Sequence, residues 1–450
     1  MRNNSKILRE VIKEIKPSES EISEINEVAY KFIKILESCL GKHRISADVF
    51  IGGSIAKNTI IKKRRYDIDI FVRFAYDKYK ENEKQLGDIL EKPSLEGFKK
   101  FKELEDNSSL KFERVHGSRD YFNVYFHNKK LGMDLIIEIV PTLEIKKPQD
   151  ALNITDLSFF HVRYVVNELK KKRLTNDVIL AKAFCYANKC YGAESYIKGF
   201  SGYAIELLVL YYGGFEKFIK KASLWKAKVI IDPAKKYKKE NEIMTNLNEA
   251  KLQSPVVLVD PTYSLRNVCA ALSDETFARF VEACRQFAKK PGKGLFEEER
   301  INKKDLVKDA KRRNAKVGLL EITTKKDKED IAYSKIVKFS DFIASQMKRH
   351  NFSILRKEIE FSGFNNGCYS AVLYVIYKEP LAYEVVEGPP LSLKEHAERF
   401  KMKYKKCSVK KGRLYSKAKR RIHDIKGLVG YIKSGNEIKD MQISGIELVK

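Results

Sequence analysis

Cysteines and long apolar runs are both scarce in this sequence. The seven cysteines are scattered along the 450 residues, at Cys39, Cys185, Cys190, Cys269, Cys284, Cys368 and Cys407. No two form a Cys-x-x-Cys pair and their number is odd, which argues against a zinc module and a disulfide framework. No apolar stretch reaches the roughly 20 residues that a membrane-spanning helix needs, and the first residues lack a signal-peptide core. We therefore expect a cytoplasmic protein, without membrane association, whose thiols are mostly buried.

Acidic residues are the minority among the charged side chains. There are 60 Asp and Glu against 88 Lys and Arg, which gives a formal net charge of +28. Such an excess favours a polyanionic partner, most simply a nucleic acid, although a lysine-rich composition of the organism is an alternative explanation. The hydrophobic fraction of 43% is enough for sizeable cores. The length suggests about three domains.

A glycine-rich turn lies near the amino terminus. Gly52, Gly53 and Ser54 follow a short predicted strand, Asp48–Ile51, and precede a predicted helix. The free N–H groups at the start of a helix form an anion site, and glycines let a phosphate approach the backbone closely. Ser54 can add a hydroxyl and Lys57 a positive charge. A Gly-Gly-Ser is usually only a turn, but at this position it also suits a phosphate cradle.

Two carboxylates follow the glycines inside an apolar run. The segment Tyr66–Phe74 is predicted to be a strand, so Asp67 and Asp69 share one face, roughly 6 to 7 Å apart. Two like charges on a strand repel each other and are costly to desolvate, and a divalent cation relieves both costs. Carboxylate oxygens suit Mg²⁺. An Asp-x-Asp alone is usually a solvated edge, but together with the glycines it predicts nucleotide-dependent phosphoryl transfer.

A third carboxylate is predicted on a neighbouring strand. Gly132–Pro141 reads as a strand stopped by its proline, and Asp134 and Glu138 lie on one face of it. Either acid could complete a three-carboxylate metal site and serve as the base for a hydroxyl nucleophile. We favour Glu138 because it lies nearer the buried middle of the strand, whereas Asp134 is next to the turn.

The remainder of the chain is predicted to be mainly helical and then α+β. Helices are predicted at Leu157–Lys170, Thr175–Asn188 and Ala204–Tyr212, and two short strands each end in Asp-Pro, at Asp232 and Asp260. The segment 380–390 is predicted to be a connector. The very basic segment 399–426 has interleaved aromatic residues, which favours binding of an RNA backbone over a merely solvated lysine face. The candidate RNA-binding residues are Arg399, Lys403, Lys405, Lys406, Lys410, Lys411 and Arg413.

Taken in order, these pieces resemble the archaeal (class I) CCA-adding enzymes, which are tRNA nucleotidyltransferases. The likeness is densest at residues 52–74, 138–141, 191–203 and 260–273. It implies an α+β multidomain protein. Residues 1–152 would form a catalytic head with the polymerase-β-like nucleotidyltransferase fold and a mixed sheet. Residues 153–273 would form a helical neck that selects the nucleotide, and residues 274–450 an α+β body and tail that bind tRNA.

The resemblance also implies an activity and a set of site residues. The enzyme would add C, C and A to the 3′ end of tRNA from CTP and ATP, without a template, releasing pyrophosphate. Two Mg²⁺ ions would be held by the three acids, Asp67, Asp69 and Glu138. The nucleotide would be bound by Gly53, Ser54, Lys57, His161, Lys182, Tyr191 and Arg266, with Arg266 at the base. The acceptor stem and TΨC arm would be contacted, and the family suggests a homodimer.

The sequence departs from the family pattern in three places. Lys57 stands where arginine is expected, so a bidentate phosphate contact becomes a point charge. The acids run Asp, Asp, Glu where the family more often has Glu, Asp, Asp. His161 matches only with a small gap. The alternatives are another RNA 3′-terminal nucleotidyltransferase, of the poly(A) or oligoadenylate type, and a non-catalytic RNA-binding homologue.

Overall fold

The computed structural model describes residues 2–63, 65–105, 110–298, 301–324, 328–365 and 368–449. These residues fall into two compact units, Met1–Glu299 and Arg300–Lys450. Among the described residues, no helix combines the length and the apolar character that crossing a membrane requires.

The head is built on a five-stranded mixed sheet, as predicted, with strand order β1-β2-β5-β4-β3. Strands β2 and β5 run parallel, and the other neighbours are antiparallel. The elements in chain order are α1 (Arg2–Ile15), α2 (Glu19–Lys42), β1 (Ala47–Ile51), α3 (Gly53–Ala56), β2 (Arg65–Ala75), α4 (Tyr76–Tyr79), α5 (Leu86–Glu105), β3 (Lys111–Val115), β4 (Tyr121–Asn128) and β5 (Met133–Glu144). A 3₁₀ turn at Lys80–Gln85 precedes α5.

Strand β2 separates the core of the head from the face that carries Asp67 and Asp69. Its side chains alternate, so that Ile68, Ile70 and Val72 are buried in a core shared with α2 and α5. Asp67 and Asp69 therefore point to the opposite face. The strand predicted at Tyr66–Phe74 is confirmed, and the alternation explains why the two acids lie together.

Strand β5 continues through Pro141 to Glu144, so the prediction that the proline ends this strand was wrong. Strand β4 pairs with β5 only as far as Ile139, whereas β2 stays paired with β5 along its whole length. Beyond Ile139, no described strand pairs with the β4 side of β5. A residue without an N–H group is tolerated at such a position.

The neck surrounds a second core, which is mainly helical. Its elements are α6 (Ser158–Lys172), α7 (Thr175–Ala187), α8 (Gly202–Tyr212), α9 (Phe215–Ala222), β6 (Val229–Ile231), α10 (Glu240–Asn246), α11 (Glu249–Leu252), β7 (Val256–Leu258) and α12 (Asp274–Lys289). Strands β6 and β7 form a short parallel pair. 3₁₀ turns lie at Pro148–Asp150, Ile154–Leu157 and Lys293–Phe296.

Two helices group with the neck although the sequence had assigned them elsewhere. Helix α1 contributes Leu8 and Val11 to the neck core, and α12 contributes Phe280 and Cys284. The structure thus places α12 in the first compact unit, which ends at residue 299, and not with the body. The apolar faces of both helices are long enough to pack on the neck, but periodicity alone does not say which core they join.

The second compact unit contains two antiparallel sheets, of order β14-β8-β10-β9 and β11-β13-β12. Its elements are α13 (Lys303–Arg312), β8 (Lys316–Thr324), α14 (Glu329–Arg349), β9 (Ser353–Asn365), β10 (Cys368–Lys378), β11 (Tyr383–Pro390), α15 (Lys394–Lys403), β12 (Cys407–Lys410), β13 (Arg413–Lys419), α16 (Ile425–Ser434), α17 (Glu437–Asp440) and β14 (Ile443–Leu448). The prediction of a connector at 380–390 was wrong, because most of this segment forms β11. This strand lies at a sheet edge, where prolines are tolerated.

Candidate active site

A cavity of about 350 Å³ lies where the head meets the neck. Its wall includes eight of the ten residues predicted to bind metal or nucleotide: Gly53, Ser54, Lys57, Asp67, Asp69, Glu138, Lys182 and Tyr191. The other two, His161 and Arg266, are not part of this wall.

The three predicted carboxylates lie on one face of neighbouring strands. Asp69 on β2 is the register partner of Glu138 on β5, and Asp67 lies two residues before Asp69. Burial and the charge of Asp67 raise the pKa of Asp69 to about 6. Asp134 instead has a side chain that is 68% exposed, 2.9 Å from His127 Nδ1, and does not line the cavity. The structure therefore places Glu138, and not Asp134, beside the aspartates.

The chemistry of this donor set suits a divalent cation. Three carboxylates offer only hard oxygen ligands, which Mg²⁺ and similar ions prefer. The raised pKa of Asp69 reports an electrostatic cost that a cation would offset. Among the described residues, no three acidic, histidine or cysteine side chains already form a preassembled metal-binding group. The three acids line one cavity.

The glycine turn lies directly against the carboxylates. Gly53 has a positive φ of 57°, a conformation that glycine adopts without strain. The N–H of Gly52 donates to the backbone oxygen of Asp69 at 2.8 Å, which fixes the turn beside β2. Helix α3, which follows, is a single turn of four residues. Gly53 and Ser54 thus form one edge of the cavity.

Two lysines enter the cavity from different parts of the first unit. Lys57 comes from the head and Lys182 from α7 of the neck, and both donate to the carboxylate of Glu206 at 2.7 Å. Burial lowers the pKa of Lys182 to about 8, although Glu206 opposes this shift. Burial disfavours the ionised form of Glu206, but the charges of Lys182 and Lys57 hold its pKa below the ordinary value.

His161 and Arg266 form a second cluster around the buried carboxylate of Asp260. His161 Nε2 lies 2.9 Å from Asp260 Oδ2, and Arg266 Nη1 lies 3.0 Å from the same oxygen. Burial opposes ionisation of Asp260, but His161 and Arg266 lower its pKa. Tyr203 donates its hydroxyl to Asp260 Oδ1 at 3.0 Å and also lines the cavity. The cluster therefore reaches the cavity through Tyr203.

Comparison with known proteins identifies the family. A model described as tRNA nucleotidyltransferase, second domain, matches residues 176–297, and one described as CCA-adding enzyme, C-terminal domain, matches residues 313–442. A CCA-adding enzyme of Nanoarchaeum equitans is 32% identical over 413 residues, covering 91% of this chain and 93% of the relative. This chain belongs to the CCA-adding enzymes. The CCA-adding enzyme of Methanocaldococcus jannaschii is 30% identical, covering 96% of this chain and 91% of the relative.

Membership of the CCA-adding enzymes establishes the reaction class. The protein is a nucleotidyltransferase that adds CCA to tRNA, with tRNA and nucleoside triphosphates as substrates. Enzymes of this chemistry generally use divalent metal ions. The comparisons favour neither alternative, the other RNA 3′-terminal nucleotidyltransferase or the non-catalytic RNA-binding homologue, over CCA addition.

Among solved structures, that of a cytoplasmic RNA terminal U-transferase is similar to this chain with a TM-score of 0.48 and 16% identity. The match covers 67% of this chain and all of that one.

Several residues at the site of this CCA-adding enzyme were not predicted from the sequence. Glu206, Tyr203 and Lys63 line the cavity, and Lys63 Nζ lies 5.0 Å from the ring centre of Tyr191. Asp260 organises the second cluster. The sequence pattern could have indicated Glu206, because it is the one charged residue in the apolar helix Gly202–Tyr212. A buried acid requires a partner.

The predicted RNA-binding residues are all exposed in the second unit. Arg399 and Lys403 lie on α15, while Lys410 and Arg413 are register partners on β12 and β13. The structure adds residues on the same exposed face of this three-stranded sheet, which we call the β11–β13 face. Its members are Tyr383, Val385, Glu387, Ser408, Lys410, Arg413, Tyr415, Lys417 and Lys419. Glu387 is an acid among these residues, and it pairs with Arg413 at 3.1 Å.

Proposed function

We propose that this CCA-adding enzyme transfers CMP, CMP and then AMP from CTP and ATP in the cavity between head and neck. The observation that carries the proposal is the register pairing of Asp69 with Glu138 in the cavity that also receives Lys57 and Lys182. Such a site combines acids for a metal with cations for a triphosphate, which are the two requirements of nucleotidyl transfer.

Asp67, Asp69 and Glu138 would hold two Mg²⁺ ions. When bound, the ions lower the pKa of the attacking hydroxyl and neutralise charge on the leaving group. Glu138 orients the ribose 3′ hydroxyl at the end of the tRNA and accepts its proton. The oxygen then bonds to the α-phosphorus of the nucleotide, the bond to the bridging oxygen breaks, and pyrophosphate leaves.

The triphosphate would be held by groups from the head and from the neck. Gly53, Ser54 and Lys57 line the cavity wall from the head, and Lys182 lines it from the neck. Ammonium groups act as point charges toward phosphate and set no preference between nucleotides. Tyr191 completes this wall and contributes a polar contact toward the sugar.

Selection between cytosine and adenine would depend on the cluster around Asp260. Arg266 offers a fixed fork of donors that can read a base edge, and Asp260 holds that fork in place. His161 is bound to the same carboxylate oxygen. This assignment makes Asp260 a positioning residue for the base and keeps selection separate from the triphosphate contacts.

The tRNA would be bound partly by the β11–β13 face. Lysine and arginine side chains contact phosphates, and Tyr383 and Tyr415 offer aromatic surface among them. We assign this face and the basic residues of α15 to the acceptor stem and the TΨC arm. A homodimer and a cytoplasmic location are also proposed, both on the resemblance to the archaeal enzymes.

The proposed function is tested with tRNA that lacks its CCA end. Incubation with Mg²⁺ and labelled CTP and ATP should give ordered addition of C, C and A, which then stops. The double variant Asp67→Ala, Asp69→Ala should bind tRNA but incorporate nothing. Unlimited tailing with ATP alone would contradict the proposal and favour a poly(A)-type enzyme, and absence of incorporation by the unmodified enzyme would contradict it as well.

A further inference from the structure

The carboxylate of Glu206 joins two lysines that come from different parts of the first unit. Its Oε2 accepts from Lys57 Nζ at 2.7 Å, and its Oε1 accepts from Lys182 Nζ at 2.7 Å. The hydroxyl of Thr59 donates to Oε1 at 3.1 Å and accepts from Lys182 at 2.8 Å. The four side chains therefore form a closed network that includes two head residues and two neck residues.

The network is almost completely removed from solvent. The side chain of Glu206 is 0% exposed, that of Lys182 2% and that of Lys57 9%. Two ammonium groups held close together in such a place repel each other and lose their hydration. One carboxylate that accepts from both offsets the repulsion, and the cluster keeps a net charge of +1 at the wall of the cavity.

We infer that Glu206 is a positioning residue that holds Lys57 and Lys182 in place for the triphosphate of either nucleotide. The inference rests on the proposed function, because that proposal assigns both lysines to the triphosphate. Glu206 accepts from both ammonium groups as a shared anchor, so the two lysines form a preorganised pair of charges. Preorganisation lowers the cost of ordering two long side chains when the ligand binds.

A triphosphate contact is common to CTP and ATP, which gives the inference a specific signature. Loss of Glu206 should weaken binding of both nucleotides by the same factor, because neither lysine distinguishes the bases. A role limited to holding the fold together would lower the melting temperature without this effect on KM. The Asp260 cluster, in contrast, should influence the two nucleotides unequally.

The test is Glu206→Gln, which removes the charge and keeps the shape. Its matched control is Asp156→Asn. Asp156, like Glu206, is a buried acid paired with a basic side chain, here Arg119, but it does not line the cavity. We expect Glu206→Gln to raise KM for CTP and for ATP about tenfold each, with kcat changed less than about threefold. Asp156→Asn should lower the melting temperature and leave both KM values unchanged. An unchanged KM in Glu206→Gln, or an increase for one nucleotide only, would overturn the inference.

Further variants distinguish a failure of the triphosphate assignment from a failure of the inference about Glu206. Lys57→Met and Lys182→Met should each raise KM for both nucleotides. If neither does, the triphosphate assignment in the proposed function fails. If both do and Glu206→Gln does not, only the inference about Glu206 fails. If Glu206→Gln does not fold, Thr59→Val replaces it, with an expected rise in both KM values of about threefold, and unchanged values again overturn the inference.

Discussion

Gly53 lies so close to Asp69 that a methyl group at position 53 would meet the Oδ2 atom of Asp69 at 1.7 Å. Two non-hydrogen atoms that share no covalent bond cannot lie so close together, so one of the two groups has to move. The glycine is therefore needed for its missing side chain as well as for its backbone conformation. The position of a proposed metal ligand depends on this contact.

We predict that Gly53→Ala inactivates the enzyme by displacing Asp69. The rate of CMP incorporation should fall about 100-fold or more, as expected for a misplacement of about 1 Å at a reacting centre. The matched control is Gly132→Ala, because Gly132 also has a positive φ, 63°. In the part of the chain that the structure describes, no atom lies within 4 Å of a methyl group added there. Both variants should lose similar stability in thermal unfolding. Equal activities of the two variants would contradict the displacement mechanism.

The pKa of Lys182, about 8, predicts a pH dependence of nucleotide binding. The protonated ammonium binds the triphosphate, so KM for CTP should be low below pH 8 and rise as Lys182 loses its proton above it. The charged groups that act on Lys182 are Glu206, which raises its pKa, and Lys57 and Lys63, which lower it. Lys182 in turn acts on Asp69.

This dependence is measured as KM against pH from 6.5 to 9.5, roughly one and a half units on either side of that pKa. Lys182→Met should remove the rise that centres near pH 8 and give a uniformly high KM. A KM of the unmodified enzyme that stays constant up to pH 9.5 would contradict the assignment of Lys182.

Loss of the carboxylate charge that holds Arg266 should change the selectivity of the enzyme between CTP and ATP. We predict that Asp260→Asn lowers the ratio of correct to incorrect incorporation at the third added position about tenfold, because the guanidinium loses its charged anchor. Asp232→Asn is a matched control. Asp232 comes directly after β6, Asp260 comes two residues after β7, and both precede a proline. The measurement is competition between CTP and ATP on tRNA that ends in CC. An unchanged ratio in Asp260→Asn would exclude this role.

The β11–β13 face should contribute to tRNA binding mainly through charge. We predict that Lys417→Glu with Lys419→Glu raises the Kd for tRNA at least about tenfold and reduces the salt dependence of binding by about one unit of slope per lysine. Lys338→Glu with Lys348→Glu makes the same charge change on α14. Filter binding across salt concentrations compares the two. Similar effects in both variants would show that net charge, and not this face, governs binding.

Local patterns were sufficient to predict which carboxylates share one face of the head. Alternation along β2 places Asp67 and Asp69 on one side, and the same rule places Glu138 on the matching side of β5. The register of the two strands decides between Glu138 and Asp134. A parallel pairing between residues about 70 apart in the chain cannot be predicted from the sequence of either strand alone.

Contacts between distant segments could not be predicted in the same way. Glu206 and Lys57 are 149 residues apart in the chain, and the tertiary fold alone brings them together. The continuation of β5 past Pro141 depends on where β4 ends. Strand β11 looked like a connector because its partner, β13, lies beyond a helix and another strand.

The central claim is that Asp69 and its register partner Glu138 form the reacting centre, and one matched pair of variants tests it directly. Glu138→Gln and Asp134→Asn remove one negative charge each from the same strand, inside and outside the cavity. With tRNA binding intact in both, we predict that CMP incorporation falls about 1,000-fold in Glu138→Gln and stays within about threefold of the unmodified rate in Asp134→Asn. A near-normal rate for Glu138→Gln, or a large loss confined to Asp134→Asn, would contradict the account.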